Sequence, residues 1–588
     1  MKRMRATVLT AAATAVALSV GISGCSSSSS KGGGGSSKSN ASYNAANTSV
    51  VNASSKTGGT VTYEDSDVPD SLDPGNTYYA FVQDFSRLYG RSLTTFKPAP
   101  GKDGLTLVPD LAASLGKPSA DGKTWTYTLR KGVKFSDGTT ITSKDVKYAI
   151  ERSNFAPEAL SNGPTYFKAL LVGGDTYKGP YKDKSATGLK SIETPNDSTI
   201  VFHLKQAFAD FDYLTSFSQT MPVPQAKDKG ADYVKNMVSS GPYKFQSYQD
   251  GKQAVLVKNP YWSSSTDPIR KQYADKIIVN FKVSQTTIDN NLIAGNTTLD
   301  IAGAGVAPAT QPQLLTKPSL HKNADDAISG ALAYTAINTK VAPFNNIDCR
   351  KAVEYAIDKT SVQTAIGGPV RGDIAHTVLP PSVAGYTNYA DLYPSTGNAG
   401  NVTQAKAELA KCGQPNGFST NISARSDRPA EIAAATAIQA ALKKVGITVA
   451  IQQYPSGKYF SDNAGSTDFV HQHKLGLMMM AWAADWPTGY GFLQQIVDGG
   501  AIKASGNSNL SELNDPKVNS ALSAAISNTD SASRLAAWGT IDKQVMSDAV
   551  IVPLVYRKDL LYRPDNATNV MVTPAYGMYD YLLVGSTK

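Results

Sequence analysis

The chain of 588 residues is far longer than one hydrophobic core requires, so we expect several packed units. It carries 57 Lys and Arg against 48 Asp and Glu, a net charge of +9, yet the basic residues are interspersed and form no nucleic-acid-binding motif. This argues against a nucleic-acid partner. The P-loop, the Gly-x-Ser-x-Gly elbow and the His-Glu-x-x-His zinc motif are also absent. A Ser/His/Asp triad stays open because its members can lie far apart in a chain, but nothing positive indicates one.

The N-terminus has the pattern of a secretion signal. Residues 1–5 are basic, residues 6–22 are mostly apolar without a charge, and Ile22-Ser23-Gly24-Cys25 resembles the bacterial lipobox. This predicts a signal peptide over 1–24 and a lipid on Cys25; the alternative is an ordinary signal peptide with a chance cysteine. After residue 59 the longest apolar run, 477–484, is too short to cross a bilayer, so we expect a protein anchored by lipid to the outer face of the cytoplasmic membrane.

The segment that follows the cysteine is rich in Ser, Gly, Asn and Ala and has almost no apolar bulk. Such a composition buries too little surface to fold. It predicts a disordered tether over residues 25–57.

The first folded part has the periodicity of strands. Trp125, Tyr127 and Leu129 alternate with threonines, which is typical of a half-buried strand. Thr142 with Asp145 forms a capping box that predicts the start of a helix. Further strands are indicated at residues 200–204 and near residues 255 and 277.

Beyond residue 330 the pattern changes to alternating helices and strands. An Ala-rich helix over 430–445 stops at Gly446 and leads into a strand over 447–451, and a late helix covers about 531–548. His471 and His473 would project from one side of a strand as the start of a metal site, but we favour a polar loop there and expect no metal or other cofactor.

Several motifs in a fixed order resemble a known family. The long stretch 121–138, continuing to 142–146, is similar to the signature of the extracellular solute-binding proteins of family 5, which serve oligopeptide, dipeptide and nickel ABC importers. Shorter matches follow the family order at 71–74, 108–112, 240–243, 259–262, 337–339, 343–344, 349–353, 355–358 and 482–485.

The resemblance implies a fold of the α/β class. Its two lobes would be lobe I (58–97, 215–328 and 553–588) and lobe II (329–552), with an inserted domain over 98–214. Chain crossings near 328 and 552 would form the hinge between the lobes. Because the long signature lies in the inserted domain, its turn and cap residues are not site candidates.

The resemblance also implies a function. The protein would not be an enzyme but would capture a small solute, an oligopeptide or dipeptide by preference, in the cleft between the lobes and deliver it as a monomer to a membrane permease of an ABC importer. An oligosaccharide or a metal chelate is the alternative ligand, and a surface hydrolase is the alternative class of protein.

The site residues are carried over by motif. Trp482-Ala483-Ala484-Asp485 matches the family segment whose strand backbone pairs with a bound peptide and whose Asp holds the α-amino group. Trp482 and Trp486 would supply flat apolar walls, while Tyr78 and Tyr79 occupy the lobe I segment that faces the ligand in relatives. The alternative is that Asp485 caps the turn at Trp486-Pro487 and that the tryptophans are core residues.

Two cysteines remain once Cys25 is lipidated. Cys349 opens one predicted helix and Cys412 follows another, and an even pair in an oxidising compartment favours a disulfide. The alternative is two buried thiols.

Overall fold

The computed structural model describes residues 41–185, 187–426 and 428–588. The predicted signal peptide, Cys25 and the first part of the predicted tether lie outside the described residues. Among the residues that are described, no helix is long and apolar enough to cross a membrane.

The strands, in chain order, are β1 (Thr60–Glu64), β2 (Thr94–Phe96), β3 (Leu107–Pro109), β4 (Lys117–Pro118), β5 (Thr124–Thr128), β6 (Ile192–Asn196), β7 (Thr199–His203), β8 (Tyr243–Gln249), β9 (Gln253–Lys258), β10 (Lys276–Asn280), β11 (Leu299–Asp300), β12 (Ala324–Ile337), β13 (Gly372–Ile374), β14 (Ser419–Arg425), β15 (Thr448–Tyr454), β16 (Leu477–Ala483), β17 (Ile551–Tyr562), β18 (Ala567–Thr568), β19 (Val572–Thr573), β20 (Met578–Tyr579) and β21 (Gly585–Ser586).

The α-helices, in chain order, are α1 (Ala80–Ser86), α2 (Ser143–Phe155), α3 (Tyr166–Leu170), α4 (Phe211–Leu214), α5 (Gln285–Ala294), α6 (Gln311–Thr316), α7 (Pro318–His321), α8 (Ile347–Ala356), α9 (Lys359–Ala365), α10 (Val402–Lys411), α11 (Pro429–Lys443), α12 (Ser456–Tyr459), α13 (Thr467–Gln472), α14 (Gly489–Val497), α15 (Pro516–Ser527) and α16 (Ser531–Ser547).

Lobe I is built on a five-stranded sheet in the order β11-β1-β10-β9-β8. β1 runs parallel to β10 and β11, whereas β9 runs antiparallel to both β8 and β10. Alternate side chains such as Val61 and Tyr63 point into a core that also contains Phe85, Leu256 and Val279.

The inserted domain carries a four-stranded antiparallel sheet in the order β4-β5-β7-β6. Trp125 and Tyr127 are buried as their alternation with threonine predicts, and Trp125 pairs with Phe202 of β7. Thr142 and Asp145 form the predicted capping box at the start of α2.

Lobe II contains a mixed six-stranded sheet in the order β13-β17-β12-β16-β14-β15. β12 runs antiparallel to β16 and β17, and β14 runs parallel to β15 and β16. The Ala-rich helix α11 packs small buried side chains such as Ala434, Ala435 and Ile438 into the core on one face of this sheet.

Two long strands connect the lobes. β12 and β17 pair antiparallel, residues 324–328 with 558–562 at the lobe I end and residues 332–336 with 551–556 at the lobe II end. The register shifts between Ile328 and Leu332, where Gly330 adopts a φ of 72°. Such a bulge bends a strand pair locally. The bulge lies opposite the middle of β17.

The predicted tether is wrong over residues 41–57, because this segment packs on lobe I. The backbone N–H of Ala46 donates to Asp325 Oδ1 (3.0 Å), the ring of Tyr43 stacks on His321, and Val51 bridges to Val570. Ala46 and Val51 are fully buried. A few apolar side chains spaced along a polar segment are enough to hold it against a core that the rest of the chain has already formed.

The two described cysteines meet in lobe II. Cys349 in the first turn of α8 and Cys412 just after α10 are joined, with their Cα atoms 5.4 Å apart. The bond ties two neighbouring helices together and lies on the helix-covered face of the sheet.

Candidate functional site

The edge of β16 that faces β14 is open along half of its length. Among the described strands, β14 pairs only with Leu477 and Met478 of β16. The hydroxyl of Tyr459 donates to the carbonyl oxygen of Met479 at this edge (2.8 Å). Because backbone groups alternate in direction along a strand, those of Ala481 and Ala483 face the same edge. Burial falls along this stretch, from Met480 at 4% exposure to the exposed Ala483.

Asp485 lies two residues beyond the end of this edge, and its carboxylate joins three parts of the molecule. The hydroxyl of Tyr78, from lobe I just before α1, donates to Oδ1, and the hydroxyl of Tyr166, from α3 of the inserted domain, donates to Oδ2. The backbone N–H of Asp485 donates to the carbonyl oxygen of Gly491 (3.0 Å). Asp485 and Tyr78 were candidates from the sequence.

The sequence did not indicate Tyr166, which lies 319 positions from its partner. Nothing in the local pattern of a tyrosine in a short helix distinguishes it from any other half-buried tyrosine.

Burial and hydrogen bonding act in opposite directions on this carboxylate. Burial raises the pKa of Asp485 to about 6, while the hydrogen bonds from Tyr166 and Tyr78 lower it. Burial, followed by the charge of Asp485, raises the pKa of Tyr78 and of Tyr166 well above the ordinary value. Both tyrosines therefore stay protonated as donors, and Asp485 is ionised at neutral pH.

Tyr78 and Tyr79 present their rings to the cleft. Their side chains are 43% and 49% exposed, large fractions for aromatic residues. Tyr79 also feels the charge of Arg428 at the start of α11, which lowers the pKa of its hydroxyl against the larger effect of burial and the effect of Asp70.

Trp486 does not form the flat wall that the sequence predicts. Its side chain is 2% exposed and packs edge-on against Tyr166, Phe208 and Phe217. Its indole N–H donates to Asp210 Oδ2 (2.9 Å), so this ring joins the inserted domain to lobe II. Trp486 lies inside because its ring buries more apolar area in an aromatic cluster than it would as an exposed wall of the cleft.

Trp482 is half-buried, and its indole N–H donates to the carbonyl oxygen of Phe492 (2.9 Å). Part of its ring surface remains open beside Ala483.

Asp210 is a second junction between the inserted domain and lobe II that sequence reasoning missed. Besides Trp486 it accepts a hydrogen bond from Thr488 (2.6 Å), and the guanidinium of Arg534 lies 3.7 Å away. The segment that carries Asp485 is therefore held in place by hydrogen bonds to the inserted domain.

A cavity of ≈ 210 Å³ opens beside the free edge of β16, between the lobe II sheet and helices α9 and α11. Its floor is apolar and its rim is basic. It is lined by Ala333, Val362, Ile366, Arg371, Arg425, Arg428, Pro429, Ala430, Glu431, Ala434, Met479, Met480, Ala481, Leu554, Val555 and Arg557. A larger cavity of ≈ 680 Å³ in the inserted domain, around Lys147 and Tyr177, has no lining residue from the β16 edge or from Tyr78 and Tyr79.

The sequence of the chain matches a known protein family. Residues 106–504 match the model described as bacterial extracellular solute-binding proteins, family 5, middle region. The chain belongs to this family. This confirms the resemblance, and the relatives are substrate-binding proteins. The homologues are substrate-binding components of ABC importers.

Individual relatives cover most of the solute-binding protein. A probable D,D-dipeptide-binding periplasmic protein of Escherichia coli is 28% identical over 500 residues, 83% of this chain and 86% of the relative. Heme-binding protein A of Haemophilus influenzae is 27% identical over 82% of this chain and 83% of its own.

A solved structure, clavulanic acid biosynthesis oligopeptide binding protein 2, superposes with a TM-score of 0.91 and 38% identity, covering 94% of this chain and 99% of its own. The two-lobed fold is confirmed.

The histidines of the solute-binding protein do not come together. His471 lies on helix α13, not on a strand or in a loop, and its Nε2 is 2.8 Å from Glu512 Oε1, while the ring of His473 stacks on Phe469. Within the described residues, no group of three or more His, Cys, Asp or Glu side chains has the arrangement of a metal site.

Proposed function

We propose that the solute is a peptide with a free amino terminus, which lies along the edge of β16 and places its ammonium group on Asp485. The observation that carries this proposal is the open edge from Met480 to Ala483, which leads directly to an ionised, partly buried carboxylate.

An open sheet edge is a template for an extended peptide, because its N–H and C=O groups bind any peptide backbone regardless of sequence. A carboxylate in a cleft adds a charge-assisted hydrogen bond to an ammonium, worth roughly 1.5–3 kcal/mol. The names of two relatives, one a D,D-dipeptide-binding protein and one an oligopeptide-binding protein, support the same class of ligand. The half-buried ring of Trp482 and the rings of Tyr78 and Tyr79 would cover the side chains of the peptide.

The test is isothermal titration calorimetry with tetra-alanine and with N-acetyl tetra-alanine. The two peptides offer the same backbone to the β16 edge, but the acetylated one lacks the ammonium. We expect acetylation to weaken binding at least tenfold, which corresponds to about 1.4 kcal/mol.

Equal affinities for the two peptides would contradict an ammonium on Asp485, and an absence of binding by both would contradict a peptide ligand. We also propose that the protein acts by binding alone. Mass spectrometry after prolonged incubation is then expected to recover tetra-alanine intact, whereas accumulating alanine would indicate a hydrolase.

We further propose that the protein is a monomeric lipoprotein that reaches its permease from the outer face of the membrane. The lipobox at 22–25 supports this. Cys25→Ala is expected to appear in the medium or as unprocessed precursor in a fractionation experiment. A variant that stays in the membrane fraction at the mature mass would contradict lipidation.

A further inference from the structure

The cavity beside the free edge of β16 is strongly basic. Among the described residues that line it, four are arginines and one is a glutamate. Arginine binds carboxylates through a planar fork of donors and stays charged at any physiological pH. The charge available to a ligand depends on how many of these arginines already pair with carboxylates of the protein.

Arg425 is fully used in holding the fold. Its guanidinium lies 2.6 Å from Glu431 Oε2, and it packs over the rings of Tyr459 and Phe460. The backbone N–H of Arg425 donates to the other oxygen of Glu431 (2.9 Å), so the pair forms a closed unit with no net charge.

Arg371 and Arg557 share one carboxylate. Their guanidinium nitrogens lie 3.3 Å and 3.5 Å from the same oxygen of Asp559, which has a buried side chain. Within this group of three side chains, two cations share one anion, which leaves one positive charge in excess.

Arg428 makes no ion pair with the described residues. Its side chain is exposed at the start of α11, and its charge lowers the pKa of the Tyr79 hydroxyl in lobe I. With the excess charge of the Arg371, Asp559 and Arg557 group, the described part of the cavity carries two more positive than negative charges.

The position of the cavity fixes which end of a ligand reaches it. Met479 to Ala481 line it, and Asp485 lies four to six residues farther along the chain, a distance of about 13–20 Å in an extended backbone. At ≈ 210 Å³ the cavity is smaller than the roughly 300–1,000 Å³ of pockets that enclose a whole small ligand. It therefore suits one end of an extended ligand whose other end lies at Asp485.

We propose that this cavity is a subsite for a doubly negative end group, so that the preferred ligand is a short peptide of about four residues with a C-terminal acidic residue. The side-chain and terminal carboxylates would meet Arg428 and the pair of Arg371 and Arg557, above the apolar floor formed by Val362 and Ile366. This inference rests on the proposed peptide-binding function and adds the chemical class of the peptide.

Calorimetry with three peptides of one length tests the subsite: Ala-Ala-Ala-Glu, Ala-Ala-Ala-Gln and Ala-Ala-Ala-Lys. We expect the Glu peptide to bind at least tenfold more tightly than the Gln peptide and the Lys peptide to bind most weakly. In Arg428→Gln and in Arg557→Gln the Glu-to-Gln ratio should fall several-fold, while Lys503→Gln, an exposed lobe II cation outside the cavity, should keep it.

The outcomes separate the two proposals. If tetra-alanine binds with the expected dependence on its amine but the Glu and Gln peptides bind equally, the subsite is overturned and the peptide function stands. If the arginine variants weaken both peptides equally, the cavity recognises only the terminal carboxylate and the doubly negative assignment is overturned. If no peptide binds to the unmodified protein, both proposals fall.

Discussion

At Asp485 one carboxylate has two tasks, to hold two tyrosines and to attract a cation. Tyr78 and Tyr166 each use one carboxylate oxygen, and each oxygen keeps a further lone pair for an ammonium. Because the tyrosine hydroxyls come from lobe I and from the inserted domain, the carboxylate has its full set of partners only when both lie against lobe II.

The pKa of Asp485 predicts a pH dependence of binding. A ligand ammonium needs the ionised carboxylate, and burial raises the pKa of Asp485 in the free protein to about 6. Affinity for tetra-alanine should therefore be highest near pH 7, fall about tenfold by pH 5, where protons occupy most of the carboxylates, and fall again above about pH 8, where the peptide amine loses its proton. Calorimetry over pH 5 to 8 measures this directly.

Asp485→Asn is the matched variant, expected to bind tetra-alanine at least tenfold more weakly at pH 7.5 and to lose the fall in affinity between pH 7 and pH 5. Its melting temperature without ligand should not fall. Because the pKa of Asp485 is raised in the folded state, its protonated form stabilises the fold at low pH, and this contribution is lost as the pH rises through about 6. At pH 7.5 the ionised carboxylate therefore carries a burial cost that the neutral amide of Asn removes. Asp468→Asn, an exposed acid on α13, serves as the control, and an unchanged affinity in Asp485→Asn would refute the ammonium site.

At the scale of single elements, the disulfide between α8 and α10 predicts a stability effect separate from binding. Its cysteines are 63 positions apart, so the bond constrains a long loop of the unfolded chain. Cys412→Ser should lower the free energy of unfolding by about 2–4 kcal/mol and leave peptide affinity unchanged, because neither cysteine lines the cleft. Denaturant unfolding with circular dichroism measures the change.

Reductant provides the matched control for the disulfide. It should destabilise the unmodified protein by the same amount and leave Cys412→Ser unaffected. Two reactive thiols per chain in denatured, unreduced protein would contradict the bond.

Strands and helices were predictable from the sequence where the residues that define them lie close together in the chain. The alternation around Trp125 and the capping box at Thr142 identify β5 and α2 correctly because burial and local hydrogen bonding depend on adjacent residues. Residues 41–57 were mistaken for a tether because Ala46 and Val51 gain their burial from lobe I residues more than 200 positions away. Tyr166 as a partner of Asp485 and Asp210 as a partner of Trp486 were missed for the same reason, since no local pattern encodes a contact between distant parts of the chain.

At the scale of the whole molecule, the contacts described here belong to a structure in which the lobes meet. Tyr78 reaches Asp485, while β12 and β17 cross between the lobes with a bulge at Gly330. The inserted domain is held to lobe II by one continuous hydrophobic cluster that includes Phe208 and Trp486. The inserted domain is also tied to lobe I, by the buried ion pair between Arg152 and Asp73.

Ligand binding should shift the molecule toward this closed arrangement, because a peptide between Asp485 and the lobe I tyrosines contacts both sides only when the cleft is closed. Small-angle X-ray scattering should show a smaller radius of gyration with saturating tetra-alanine, close to the roughly 24–25 Å expected for a compact chain of this size. Tyr78→Phe removes one bond between the lobes, so its ligand-free radius should be at least that of the unmodified protein. N-acetyl tetra-alanine at the same concentration should cause less compaction, and an unchanged profile at saturating tetra-alanine would mean that the receptor is rigid.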